Sequence, residues 1–119
     1  MLRLSGLLIA AVLISACDTN DALREKAKSN PKTYARMLAA DKGCMSCHSV
    51  SITVVGPAWK LVAKEYKDKP EAKGFLISKI KKGGKGNWDH MTGGEVMPGH
   101  EDRMTDDEIA VLVDYILAL

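Results

Sequence analysis

Two cysteines separated by two residues, with a histidine directly after the second, form the run Cys44-Met45-Ser46-Cys47-His48. Nothing else in the chain restricts the fold as strongly. A Cys-x-x-Cys-His run is the spacing that attaches a c-type haem. Each thiol adds to one vinyl group of the porphyrin as a thioether, so the two sulfurs must stand about one helical turn apart. The next residue, His48, is then carried under the ring, where Nε2 can bind iron. Two other chemistries use paired cysteines. A thiol–disulfide pair needs no adjacent histidine and belongs to a strand–turn–helix context that this sequence lacks. A structural zinc site needs four ligands, and two of His48, His90 and His100 could complete one with the cysteines. The last two stand ten apart, outside the three-to-five spacing of zinc fingers. Haem attachment is the reading favoured.

A chain of 119 residues supports one small domain, and its 5% aromatic content gives it little with which to fill a core. Such domains recruit a staple, and one covalently bound haem c would supply a large flat apolar body. The formal charge of +2 hides a segregation. Residues 60–85 carry nine lysines against Glu65, Asp68 and Glu71, whereas residues 86–119 carry eight acids against Arg103 alone. The resulting dipole can orient encounter with a charged partner, although solvated helix faces would look the same. Nothing resembles a nucleic-acid-reading motif.

The third cysteine, Cys17, has its own context. Residues 1–16 read as a lipoprotein signal peptide: Arg3, then an apolar run over residues 7–14 that is too short to cross a bilayer. Ile14-Ser15-Ala16-Cys17 resembles a bacterial lipobox, which implies that Cys17 receives the lipid. Simple cleavage would leave an odd thiol in an oxidising compartment. Residues 17–29 are then the lipidated cysteine and a polar tether. The product would be exported, and held by its lipid in the periplasm or on the outer face of the cytoplasmic membrane.

Residues 30–119 read as the folded domain, and as all-α. Asn30 suits an N-cap with Pro31 at the first helical position. Tyr34, Met37, Leu38 and Asp41 fall on one face of that helix and suggest its apolar stripe, and Gly43 suits its exit. The β-branched stretch 50–55 suits a loop covering one haem face, ended by Gly56-Pro57. Trp59, Val62, Ala63 and Tyr66 recur at helical spacing. A further helix over 71–82 would bury Phe75, Leu76, Ile77 and Ile80, with lysines in its last turn and Gly83-Gly84 ending it. Residues 83–99 hold six of the ten glycines and read as a long irregular loop. Thr105 to Glu108 is a capping box, opening a terminal helix with Ile109, Leu112, Val113, Ile116 and Leu117 on one stripe. There are no internal repeats.

The sixth position on the iron would go to a methionine, a histidine or nothing. The candidates beyond the tether are Met91, Met97, Met104, His90 and His100, and Met97 is favoured because it lies in the glycine-rich loop immediately before Pro98, which keeps the chain there out of helix. A thioether also favours ferrous iron relative to a second imidazole.

From Cys44-Met45-Ser46-Cys47-His48 through Val55-Gly56-Pro57-Ala58 and the stretch from Ile80 to Trp88 to Met97-Pro98, residues 30–119 resemble a class I c-type cytochrome of the short bacterial monohaem type. The resemblance implies four to five helices wrapped around one haem, with His48 and Met97 as axial ligands. It implies that the Pro57 carbonyl accepts the His48 Nδ1–H and that the Trp88 indole donates to a haem propionate. Relatives often follow Met-Pro with a second proline and an asparagine, where this chain has Gly99-His100. The implied activity is one-electron transfer by a monomer between respiratory reductases and oxidases, not catalysis. A peroxidase-like or gas-binding haem with an open sixth position is the alternative, and a zinc-held interaction lipoprotein a third. Against the alternative, His90 and His100 are scattered, with no Arg/His pair beside an open site.

Overall fold

The computed structural model describes residues 28–119, together with Asp21 and Glu25. The segments read above as a signal peptide and a lipobox, with Cys17, lie outside the described residues. Of the polar stretch that follows, Asp21, Glu25 and Lys28 have helical backbone, and Lys28 pairs with Glu25 at 2.6 Å.

Five α-helices and one 3₁₀ turn make up the regular structure among the described residues. Helix α1, Pro31–Asp41, opens as its sequence suggests: the Asn30 side chain accepts from the Thr33 N–H at 3.2 Å, with proline at the start. Gly43, in left-handed conformation at φ 78°, turns the chain into the 3₁₀ turn Cys44–Ser46. Helix α2 is Trp59–Tyr66, and helix α3 is Ala72–Lys82, with Lys79, Lys81 and Lys82 in its final turn. A short α4, Asp89–Thr92, interrupts what the glycines suggested was wholly irregular chain. Helix α5, Asp106–Leu117, carries the capping box in full: Glu108 N–H donates to Thr105 Oγ1 at 3.2 Å, and Thr105 N–H donates to Glu108 Oε2 at 3.0 Å.

Helix α5 is the element on which the others rest, and α1, α2 and α3 each pack against it. Ile109, Leu112, Val113 and Ile116 are buried along its inner stripe, and Tyr115 joins them. The face that α1 presents differs from the suggested stripe. Ala35, Leu38 and Ala39 are buried and Met37 is exposed, because the two alanines let α1 approach α5 closely. From α2, Trp59 meets Tyr115 edge-on at 6.2 Å, and Val62, Ala63 and Tyr66 complete the buried face. In α3, Leu76 and Ile80 are buried, whereas Phe75 is 43% exposed and stacks on Tyr66 at 5.3 Å. Two ion pairs, Lys73 with Asp114 at 2.7 Å and Lys81 with Asp106 at 2.9 Å, tie α3 to α5 across the surface.

Candidate haem site

The cysteine–histidine run and the glycine-rich loop, far apart in sequence, line one apolar cleft. Its floor and sides come from the core: Trp59, Val62, Leu76, Ile80, Leu112 and Ile116.

One wall is the motif itself. The 3₁₀ turn closes with Cys47 N–H donating to Cys44 O at 3.2 Å, and the His48 N–H reaches the same oxygen at 2.9 Å, which sets both cysteines and the histidine on a single turn. Both thiols are free, half-buried and cleft-lining. Burial pushes the Cys44 thiol above its ordinary pKa, so it stays protonated as S–H at neutral pH. The His48 Nδ1 lies 2.9 Å from the Pro57 carbonyl oxygen. A carbonyl only accepts, so Nδ1 carries the proton and Nε2 keeps its lone pair for a metal. Gly56 makes that approach possible. A Cβ there would overlap the His48 ring, and the Gly56 N–H is bound to Cys47 O at 2.7 Å. Trp59 then stands 5.9 Å from the imidazole and links it to the core. Of the β-branched loop, only Val55 reaches the cleft. Ile52 is 68% and Val54 59% exposed, so the loop does not cover a face as suggested.

The other wall is the strap that carries Met97. Gly84 and Met97 exchange backbone hydrogen bonds at 2.8 and 3.2 Å, pinning the methionine to the end of α3. Gly83 lets the two segments touch: it has φ 67°, and a Cβ would run into the Met97 carbonyl. The pair of glycines that ends α3 therefore also seats the strap. Beyond Pro98, the His100 N–H reaches Ile80 O at 3.0 Å and Lys81 O at 3.1 Å.

Trp88 lines the cleft and stacks on His90 at 6.4 Å, and its indole N–H has no protein acceptor among the described residues. Lys79 also lines the cleft, with its ammonium bound to Lys85 O at 2.5 Å, in the same corner as Gly86 and Trp88. The sequence showed Lys79 only as one of several last-turn cations. His100, which the sequence offered only as one of several candidate ligands, is buried and cleft-lining. No cluster of three or more His, Cys, Asp or Glu suited to a bare metal ion occurs among the described residues, so a zinc reading finds no ligand set.

A haem fits this arrangement. The cleft is apolar, two S–H groups and an imidazole share one turn, and Gly56 shapes a cradle that a Cβ would fill. Fold and site together define a small helical protein built around one covalently attached haem. The family model described as cytochrome c matches residues 33–119, and the chain belongs to that family.

Cytochrome c-552 of Hydrogenobacter thermophilus is 43% identical over 88 residues, spanning 73% of this chain and 84% of that protein. The crystal structure of wild-type Nitrosomonas europaea cytochrome c552 superposes with a TM-score of 0.62 at 39% identity. That match covers 71% of this chain and 98% of the other. The class 1 cytochrome MtoD from Sideroxydans lithotrophicus gives a TM-score of 0.58 at 28% identity, covering 71% and 90%. The protein is thus a monohaem class I cytochrome c, an electron carrier and not an enzyme. Its cofactor is haem c, and Cys44, Cys47 and His48 fit the attachment motif. It passes electrons to and from redox partner proteins, as cytochromes c do.

Proposed function

We propose that this cytochrome is a lipid-anchored one-electron carrier of a bacterial respiratory chain, with iron held between His48 and Met97. One observation carries the ligand assignment. An imidazole with Nδ1 committed to Pro57 and a methionine with backbone clamped to Gly84 line the same cleft. Haem c, when bound, supplies an iron that cycles between ferric and ferrous states.

The protein's part is to attach, orient and shield. Cys44 and Cys47 would hold the haem, each by a thioether to one vinyl group, with the S–H proton taken up by the other vinyl carbon. The Pro57 carbonyl fixes the His48 tautomer and raises the basicity of its Nε2. The Met97 thioether would serve as the second protein ligand, which would leave no place for a substrate and favour the ferrous state. Trp88, with Lys79 beside it, offers an N–H and an ammonium to the propionates. The apolar floor keeps water away, so little solvent reorganises when the charge on iron changes.

Of the lysines between residues 60 and 85, Lys69, Lys73 and Lys81 are bound to Glu65, Asp114 and Asp106. The steering charge that can meet an acidic partner therefore rests on Lys60, Lys64, Lys67, Lys82 and Lys85. Residues 1–16 direct export, lipid on Cys17 holds the carrier at the membrane, and residues 17–29 tether the domain formed by residues 30–119. What supports this is the Ile14-Ser15-Ala16-Cys17 run and the polarity of the stretch behind it. No helix among the described residues is long and apolar enough to cross a membrane. The carrier works as a monomer.

Methionine ligation is read from the oxidised holoprotein, whose spectrum should show the weak far-red sulfur-to-iron band. Met97→Ala should abolish it. A resting high-spin spectrum in the unmutated protein would defeat the assignment.

A further inference from the structure

The strap holds a second side chain with the chemistry of an iron ligand, and electron transfer through His48 and Met97 does not use it. His100 is only 5% exposed, yet it lines the same cleft as Met97. Its Nδ1 lies 2.9 Å from the Pro98 carbonyl oxygen, so the proton sits on Nδ1 and Nε2 keeps a lone pair. The described residues offer that Nε2 no donor. Nor is it sealed in the packing, since no buried side-chain nitrogen or oxygen among them lacks a partner.

The arrangement repeats the one across the cleft, where His48 gives its Nδ1–H to the Pro57 carbonyl at the same 2.9 Å. A carbonyl that holds one imidazole nitrogen selects the tautomer that presents the other as a Lewis base. The backbone of His100 is equally fixed. Its N–H is bound to Ile80 O and Lys81 O, and its carbonyl accepts from Arg103 and Met104, both at 3.0 Å.

We propose that His100 is a reserve distal ligand: when the Met97 thioether is lost or displaced, His100 Nε2 takes its place on the iron. The proposal rests on Met97 being the resident ligand. The two Gly84–Met97 hydrogen bonds hold the thioether in position, so the imidazole takes over only when the sulfur goes. A second imidazole keeps the iron six-coordinate and lowers its reduction potential relative to a thioether. Loss of the methionine would therefore switch the carrier to a lower-potential state and not open a site for small molecules.

The test uses holoprotein made with haem-ligation machinery, read by optical absorption, electron paramagnetic resonance and carbon monoxide binding to the ferrous form. The far-red band in the unmutated protein, lost in Met97→Ala, establishes the resident ligand separately. Met97→Ala, with Met97→Leu as a volume-keeping second variant, is expected to stay low-spin and to bind carbon monoxide no more readily than the unmutated protein. Adding His100→Asn, whose amide can still donate to Pro98 O, should convert both to high-spin, carbon monoxide-binding iron. His100→Asn alone should keep the far-red band, which shows an intact strap. High-spin iron in both methionine variants would overturn the proposal. So would low-spin iron that survives the double substitution, which would point to His90 or Lys79. An unmutated protein without the band that turns high-spin on His100→Asn would make His100 the resident ligand, and both readings would fall.

Discussion

The two walls of the cleft present their residues by different means. On the motif wall, the hydrogen bonds that set the His48 ring join residues between Cys44 and Lys60: His48 to Cys44, Gly56 to Cys47, Trp59 to Ser49, Lys60 to Val50, and the ring itself to Pro57. On the strap wall, Met97 is bonded to Gly84, and His100 to Ile80 and Lys81. The first wall closes short loops and can form before the rest of the domain is docked. The second closes only once α3 has been formed and seated on α5. Local stability follows the same division, so the Met97 side should loosen first under denaturant or heat while the histidine side stays in place.

The largest effect should come from cutting the covalent link. Cys44→Ala with Cys47→Ala is expected to give a product whose pigment, if any is retained, extracts fully into acidified acetone, whereas the unmutated protein keeps its colour. A domain this short of aromatics should then also lose its cooperative thermal transition near room temperature or below it. An uncoloured but cooperatively folded double variant would show that the helices can do without their staple.

Next in size is Gly83→Ala. A positive φ is combined there with a Cβ directed at the Met97 backbone carbonyl, so neither a rotamer change nor a side-chain shift relieves it. Strain and overpacking together should cost on the order of 2–4 kcal/mol in urea unfolding of the holoprotein. The far-red band should weaken while the main absorption of the haem remains. Gly56→Ala tests the other wall, and its Cβ meets a side chain, the His48 ring, rather than backbone. A ring can tilt, so the expected loss is smaller, roughly 1–3 kcal/mol. The change should appear in the histidine-side spectrum with the far-red band kept. Equal losses and identical spectral changes in the two variants would erase the distinction between the walls.

That distinction also explains what could be read before any coordinates. The motif wall is legible because its chemistry lies in five consecutive residues, and the Thr105–Glu108 cap because its two bonds span three residues. Periodicity placed Trp59, Val62, Ala63 and Tyr66 correctly, but it cannot tell a core from a cleft. Phe75 falls on the inward spacing of α3 and yet stands at the cleft, stacked on Tyr66. Met37 outweighed Ala35 and Ala39 in apolar counting, whereas close helix contact favours the small residues. Helix α4 is one turn long between glycines and leaves no periodic trace. His100 sits between a glycine and a glutamate, with no apolar periodicity to mark it as buried. Its burial depends on hydrogen bonds to the end of α3, twenty residues earlier in the chain.

The smallest expected effect concerns how the end of α3, on which the strap hangs, is held to the rest. Lys81 donates to Asp106 at 2.9 Å, and this bond holds the lysine pKa above its ordinary value. A cation whose folded pKa is raised contributes stability that is fully present below the unfolded lysine pKa and is lost as pH climbs through the folded one. Unfolding midpoints of the unmutated protein should therefore fall slightly more across the alkaline range than those of Lys81→Met. The pair is exposed to solvent and should matter little at high salt. The site of the effect is more telling than its size. Lys81 lends its carbonyl to His100 and Glu101, so what the bridge steadies is the strap and not the motif. The alkaline difference should register in the far-red band before it registers in overall unfolding. The same titration in Lys73→Met, which removes the Asp114 pair from the other end of α3, should leave that band unmoved.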